Sequence, residues 1–241
     1  MKGTERHHLK ENEIERLARQ ARELVDTRGT QLSWAIAAVV IVGAAAVIFL
    51  GWRDHVRAQA HVLLAAAIAV QDARIGPPPA PGTVSTAPYF PTESERAQAA
   101  LAKFKAVADA YPATDAGIFA RYQQAASDMA LGHPADAATT YQQVIDRAGT
   151  SVYAQMARLG LAEAQARAGQ YDQAINAFKD LAQRKDGTLP VDGILMQLGR
   201  VYLDAGKPTD AQQTFTRVVA EFPDSPFSPD AKRELEALKK T

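Results

Sequence analysis

Five histidines, His7, His8, His55, His61 and His133, are the side chains here best suited to bind a metal or move a proton near neutral pH. None falls in a metal-ligand spacing or in the setting of a Ser–His–Asp triad. The chain contains no cysteine, which removes disulfides, thiolate catalysis, cysteine-rich zinc sites and a lipid-modified cysteine anchor. Its glycines form no phosphate-cradling loop, and its acidic residues are scattered as on solvated helix faces. Lys+Arg and Asp+Glu balance at 27 each, so no basic surplus draws the chain to nucleic acid. The expectation is a protein without catalytic residues, metal, cofactor or small-molecule substrate.

Function must then lie in the elements themselves. Across 241 residues the composition is 47% hydrophobic but only 7% aromatic, and alanine is abundant. That balance favours closely packed helices over sheets.

No charge interrupts residues 29–52, and the stretch from Leu32 to Trp52 is almost wholly apolar. As a helix these residues span roughly 36 Å, enough to cross a hydrocarbon core of about 30 Å. Trp34 and Trp52 bracket the run where indole rings favour the membrane interface. Lys2, Arg6, Lys10, Arg16, Arg19, Arg22 and Arg28 precede it, while only Arg53 and Arg57 follow closely. The positive-inside rule then places the N-terminus in the cytoplasm and the remainder outside. A cleaved signal peptide is the competing reading, since Ala58-Gln59-Ala60 has the small-x-small form of a cleavage site. Against it, the run exceeds the usual h-region and follows a long n-region.

The segments on either side have patterns of their own. Residues 1–31 form a cytoplasmic stub in which Ile14, Leu17, Ala18, Ala21, Leu24 and Val25 make one apolar stripe. That stripe suits a membrane surface or a partner helix, and equally a solvated extension of the span. Residues 53–75 read as a helix continuing out of the membrane. Residues 76–92 hold six of the thirteen prolines and so cannot be helical. They are either a loop inserted between two solenoid helices or a plain linker. Thr92 with Glu95 is a capping box that restarts the helix.

From residue 93 to 241 the chain repeats. Gly132, Gly169 and Gly206 are 37 residues apart, each followed by an alanine (Ala137, Ala174, Ala211), an aromatic (Tyr141, Phe178, Phe215) and an apolar residue (Val144, Leu181, Val218). One further shift lands on Ala100, Phe104, Val107 and Pro112. Self-similarity at such a period means stacked supersecondary units. Glycine, aided by Pro134 or Pro208, breaks the chain between paired helices; alanine permits close approach, and the aromatic fills the groove. Ser228-Pro229 opens a last helix with Ala231, Leu235 and Leu238 on one side and Lys232, Arg233, Lys239 and Lys240 on the other, a solubilising cap.

In the third unit Leu198-Gly199, Tyr202, Gly206, Ala211, Phe215, Val218 and Pro223 resemble the full tetratricopeptide-repeat (TPR) pattern. The second unit keeps Leu161-Ala162, Gly169, Ala174, Phe178 and Leu181, and the first keeps less. The resemblance implies an all-α protein: one N-terminal transmembrane helix, then a TPR α-solenoid of about three and a half helix pairs with a C-terminal cap. It also implies a concave groove lined by the first helix of each pair. Carried over by register, that groove comprises Phe119, Tyr122 and Met129; Met156, Leu159, Glu163 and Arg167; then Met196, Arg200, Leu203 and Asp204. Flexible thioethers suit varied apolar partners, although methionines at these positions serve equally well as core fillers. Glu163 and Arg200 occupy equivalent positions in adjacent units and are expected to pair.

The whole layout is similar to YfgM-type ancillary subunits of the bacterial Sec translocon. That likeness implies an inner-membrane protein whose periplasmic repeats meet the translocon, periplasmic chaperones or unfolded clients. The repeats and the Phe222–Phe227 turn also resemble BamD-type assembly lipoproteins, which need the cysteine this chain lacks. A scaffold for envelope assembly or cell division, as in TolA-binding TPR proteins, is the alternative; a hydrolase hidden in the solenoid is the remote one.

Overall fold

The computed structural model describes residues 4–77, 88–184 and 189–240, with backbone alone at 4–29, 31 and 32. The side chains of the stub's apolar stripe and most of the proline-rich segment lie outside what is described. The chain divides into two compact units, Met1–His55 and Val56–Thr241.

The first unit consists of the N-terminal part of helix α1, whose full extent is Thr4–Gln71. From Ser33 to Gln71 α1 is long and apolar enough to cross a membrane, with a mean hydropathy of 2.6 in its most apolar window and none of that window buried. Trp34, Ile41, Val47, Ile48 and Trp52 are each 61–76% exposed. An isolated helix apolar on every face has nothing to bury against within its own unit.

In the second unit α1 becomes one-sided. Ala60, Leu64 and Ala67, at helical spacing, are buried with Ala100, Phe104, Val107 and Ala108 of α2 (Glu93–Ala110) and with Ala116 and Ala120 of α3 (Asp115–Ala130). The helix expected to run to residue 75 ends instead at Gln71. Two-residue strands β1 (Arg74–Ile75) and β2 (Tyr89–Phe90) pair in parallel at the base of the proline-rich segment. Gly76 N–H donates to the Phe90 carbonyl at 3.0 Å, and Arg96 reaches the Ala73 carbonyl at 3.4 Å. These bonds, with the bias of the residue before Pro77 against helix, compete successfully with another helical turn. At the restart, Thr92 Oγ1 accepts from the Glu95 N–H at 3.2 Å.

Six more helices follow: α4 (Pro134–Ala148), α5 (Val152–Arg167), α6 (Tyr171–Gln183), α7 (Val191–Asp204), α8 (Pro208–Glu221) and α9 (Ser228–Leu238). Each packs on its neighbours in sequence, and α3 also touches α5, as in a solenoid. Three hairpins close in one way. Gly132, Gly169 and Gly206 take φ values of 78°, 75° and 68°, where a side chain would be strained. The next residue's N–H then donates five residues back: His133 to Asp128 at 2.9 Å, Gln170 to Gln165 and Lys207 to Tyr202 at 2.8 Å. This Schellman closure satisfies the carbonyls that a helix end leaves open.

The repeated positions form the core. Ala137, Ala174, Ala211, Phe178, Phe215 and Val218 are 0% exposed, and Tyr141, Val144 and Leu181 are also buried. The shifted set Ala100, Phe104 and Val107 is buried too. Helices approach so closely that a Cβ on Gly160 would lie 2.5 Å from the Tyr141 ring, and one on Gly199 2.4 Å from Phe215. Within α3, Arg121 is buried; it donates to Asp109 Oδ1 on α2 at 2.7 Å and to Gln124 Oε1 at 3.1 Å. The guanidinium holds the Asp109 carboxyl below its usual range, first by that hydrogen bond.

Candidate functional site

The first helices of the three complete pairs are α3, α5 and α7, and they carry all the candidate groove residues. On α3, Phe119 stacks at 5.5 Å on Tyr153 of α5, while Tyr122 stacks at 5.6 Å on Tyr141 of α4. Both pairs are tilted, the arrangement that aromatic quadrupoles favour. Gly160 leaves the room that the Tyr141 ring occupies. Burial, followed by the nearby Glu163 charge, raises the Tyr122 hydroxyl above its usual range; Tyr141 is pushed up chiefly by burial.

Farther along lies a cavity of about 190 Å³ between α5, α7 and the start of α9. Leu159, Ile194, Met196 and Phe227 supply apolar walls, and Glu163, Gln197 and Arg200 supply polar ones. Gly193 makes space for Phe227, whose Cε2 would stand 3.2 Å from an added Cβ. Burial pushes the Glu163 carboxyl up, and the Arg167 charge only partly offsets it.

The cavity gathers four of the expected residues: Leu159, Glu163, Met196 and Arg200. Phe119 and Tyr122 belong to the aromatic stacks. Met129 is partly buried against the cluster around Tyr141, and Leu203 against the C-terminal core. Met156 is partly buried on α5, whereas Arg167 and Asp204 are exposed at the ends of α5 and α7.

One expectation is corrected. Glu163 and Arg200 share the cavity but do not pair. Arg200 instead meets Asp230 of α9 at 3.9 Å, because the capping helix packs where a further pair's first helix would stand. Met196 is only 1% exposed and belongs to the C-terminal core, contributing to the cavity wall from beneath. Register reasoning missed Gln197, Ile194, Tyr153 and Phe227. Phe227 had a signal in the Phe-Pro-Asp-Ser-Pro-Phe turn, but only packing shows that its ring reaches α7.

A profile for the tetratricopeptide repeat-like domain matches residues 29–240. The chain belongs to that family. Among curated proteins none matches. Similar solved structures include the nearly identical TPR-like repeats ascribed to a Podosopora anserina kinesin light chain, at 15% identity and a TM-score of 0.57. They cover 76% of this chain and 87% of that one; a variant of the same repeats gives the same score with 86% of its chain covered. That likeness concerns the fold alone. The TPR-like solenoid is an interaction scaffold, and its partners are proteins. Among the described residues no group of three or more His, Cys, Asp and Glu side chains could hold a metal.

Proposed function

We propose that this TPR protein is a single-pass inner-membrane scaffold, with its N-terminus in the cytoplasm and its repeats in the periplasm, that serves the Sec translocon. In this role it passes emerging unfolded clients to periplasmic chaperones. The observation that carries the reading is the uncharged stretch 29–52, exposed wherever its side chains are described and flanked by seven close cations before it and two after. Such a stretch is costly in water, and the charge bias favours one orientation. The order of stub, span, alanine-rich helix and repeats supports the translocon assignment by its similarity to YfgM-type subunits. Cytoplasmic stub, 32–52 span and 93–241 solenoid are the domains of this reading.

The test is purification of the intact chain from membranes in mild detergent, with mass spectrometry of what stays bound. Recovery of Sec channel subunits with periplasmic chaperones is the expected outcome. Recovery of division or cell-wall proteins without Sec subunits assigns the scaffold to envelope assembly and overturns the translocon role.

A further inference from the structure

The three glycine-closed hairpins share one backbone geometry but differ in the residue whose carbonyl receives the closing bond. Those residues are Asp128, Gln165 and Tyr202, each 37 positions from the next. Asp128 and Tyr202 are 6% and 5% exposed, and Gln165 is half-buried with its Oε1 enclosed. Glutamine and tyrosine side chains are neutral near pH 7, whereas aspartate is an acid. The first hairpin alone of the three therefore places a titratable carboxyl at this repeated position.

Asp128 is poorly placed to carry a charge. Among the described residues its buried carboxylate makes no hydrogen bond or ion pair. It lies in the last turn of α3, where the open carbonyls form the negative end of the helix dipole. Asp136, in the first turn of α4, adds a like charge, while His133 at the α4 cap and Lys105 of α2 oppose it. Lys105 is shared with Asp109 at 3.6 Å, and Arg121 of α3 is held by the same Asp109 at 2.7 Å. Tyr141 of α4, and Glu163 and Arg167 of α5 beyond it, complete the ionisable groups on this side of α3. Burial and Asp136 outweigh the two cations and hold the Asp128 carboxyl above its ordinary range.

We propose that the α3–α4 hairpin is a proton-operated closure, tightened when Asp128 is protonated and loosened when it ionises, while the other two hairpins lack the device. The closed hairpin holds this proton more tightly than an opened one does. Closure therefore weakens as pH rises through the window between the ordinary aspartate range and the raised value, and is constant above it. Acid should stiffen the alanine-rich repeats that follow α2, with neither a partner nor a metal required.

The test is hydrogen exchange with mass spectrometry on the full-length protein in nanodiscs between pH 4.5 and 7.5, corrected for intrinsic exchange. Asp109, whose carboxyl is held low by Arg121, stays ionised over this range. Opening of α3–α4 relative to α7–α8 should be at least about threefold more frequent at the upper pH than at the lower. Asp128→Asn should remove that response and protect the hairpin at pH 7.5. Asp128→Gln, which copies the second hairpin, is the second variant should the first fail to fold. His133→Gln should keep the response, because histidine gains positive charge in acid and so works against it. An equal response in α7–α8, or a response that survives in the folded Asp128 variant, overturns the proposal. Loss of the response in His133→Gln also overturns it, by assigning the proton to the histidine.

Discussion

The two halves of the solenoid bury the same repeated positions but fill them differently. The C-terminal cluster, from Ala162 to Ala231, holds fifteen buried residues, of which four are alanine. The two N-terminal clusters together also hold fifteen, but ten are alanine. Alanine brings little apolar area, so the N-terminal half relies on close helix approach and on buried polar groups. Arg121, Gln124, Ser127 and Asp128 are all buried on α3, whereas the buried hydrophobic side chains of α7 include Ile194, Leu195, Met196 and Leu198. Solenoid stability is close to a sum over units and their interfaces. Two halves of one fold should therefore open at different free energies, the N-terminal half first.

The largest perturbation of that order is Phe215→Ala. Phe215 is fully buried and seated on Gly199, so its loss should cost about 3–5 kcal/mol. Hydrogen exchange followed by mass spectrometry on the intact chain reads the outcome. In the unaltered protein α7 and α8 should exchange more slowly than α3 and α4, and in the variant the order should invert. Faster exchange in α7 than in α3 before any substitution would refute the comparison.

Gly160→Ala tests the other half. Alanine is normally the better helix former by about 1 kcal/mol, so an exposed site would gain. Here the new Cβ would stand 2.5 Å from the Tyr141 ring, and overpacking of that kind costs about 1–3 kcal/mol. The clash should win, with a net loss in urea unfolding. Tyr141→Leu in the same chain should recover part of that loss, giving a favourable coupling in a double-mutant cycle. Additive losses would show that the ring and the glycine do not depend on each other.

The repeat was legible because its signals are local. A left-handed glycine closing each hairpin, an alanine five residues on and an aromatic four beyond it are set by one helical turn and the next. The same register extended backward finds Ala100, Phe104 and Val107 in the core. The site was less legible. In α5 and α7 both the core face and the concave face carry apolar side chains, so spacing alone could not tell Met196, which is buried, from Met156, which is partly exposed. Arg200 looks like the partner of Glu163 until α9 is docked and brings Asp230 closer. The end of α1 escaped for a similar reason: β1 finds its partner fifteen residues later, beyond the reach of helical periodicity.

The smallest predicted effect is the stability cost of Glu163 at the cavity between α5, α7 and α9. Glu163 has its folded-state pKa above the ordinary glutamate range, mainly through burial. The folded form therefore holds its proton more tightly than the unfolded chain does, and stability falls as pH rises through the window between the two values. Above that window the full penalty of an ionised, half-buried acid remains. Glu163→Gln removes the charge and should raise stability at pH 7 by less than about 1 kcal/mol. The gain should fade once the pH drops below the ordinary glutamate range, where both side chains are neutral. Thermal unfolding of the two proteins at neutral and acid pH measures it. A variant less stable than its parent at pH 7 would mean that the nearby cations, Arg167 first, outweigh the burial of the Glu163 carboxylate.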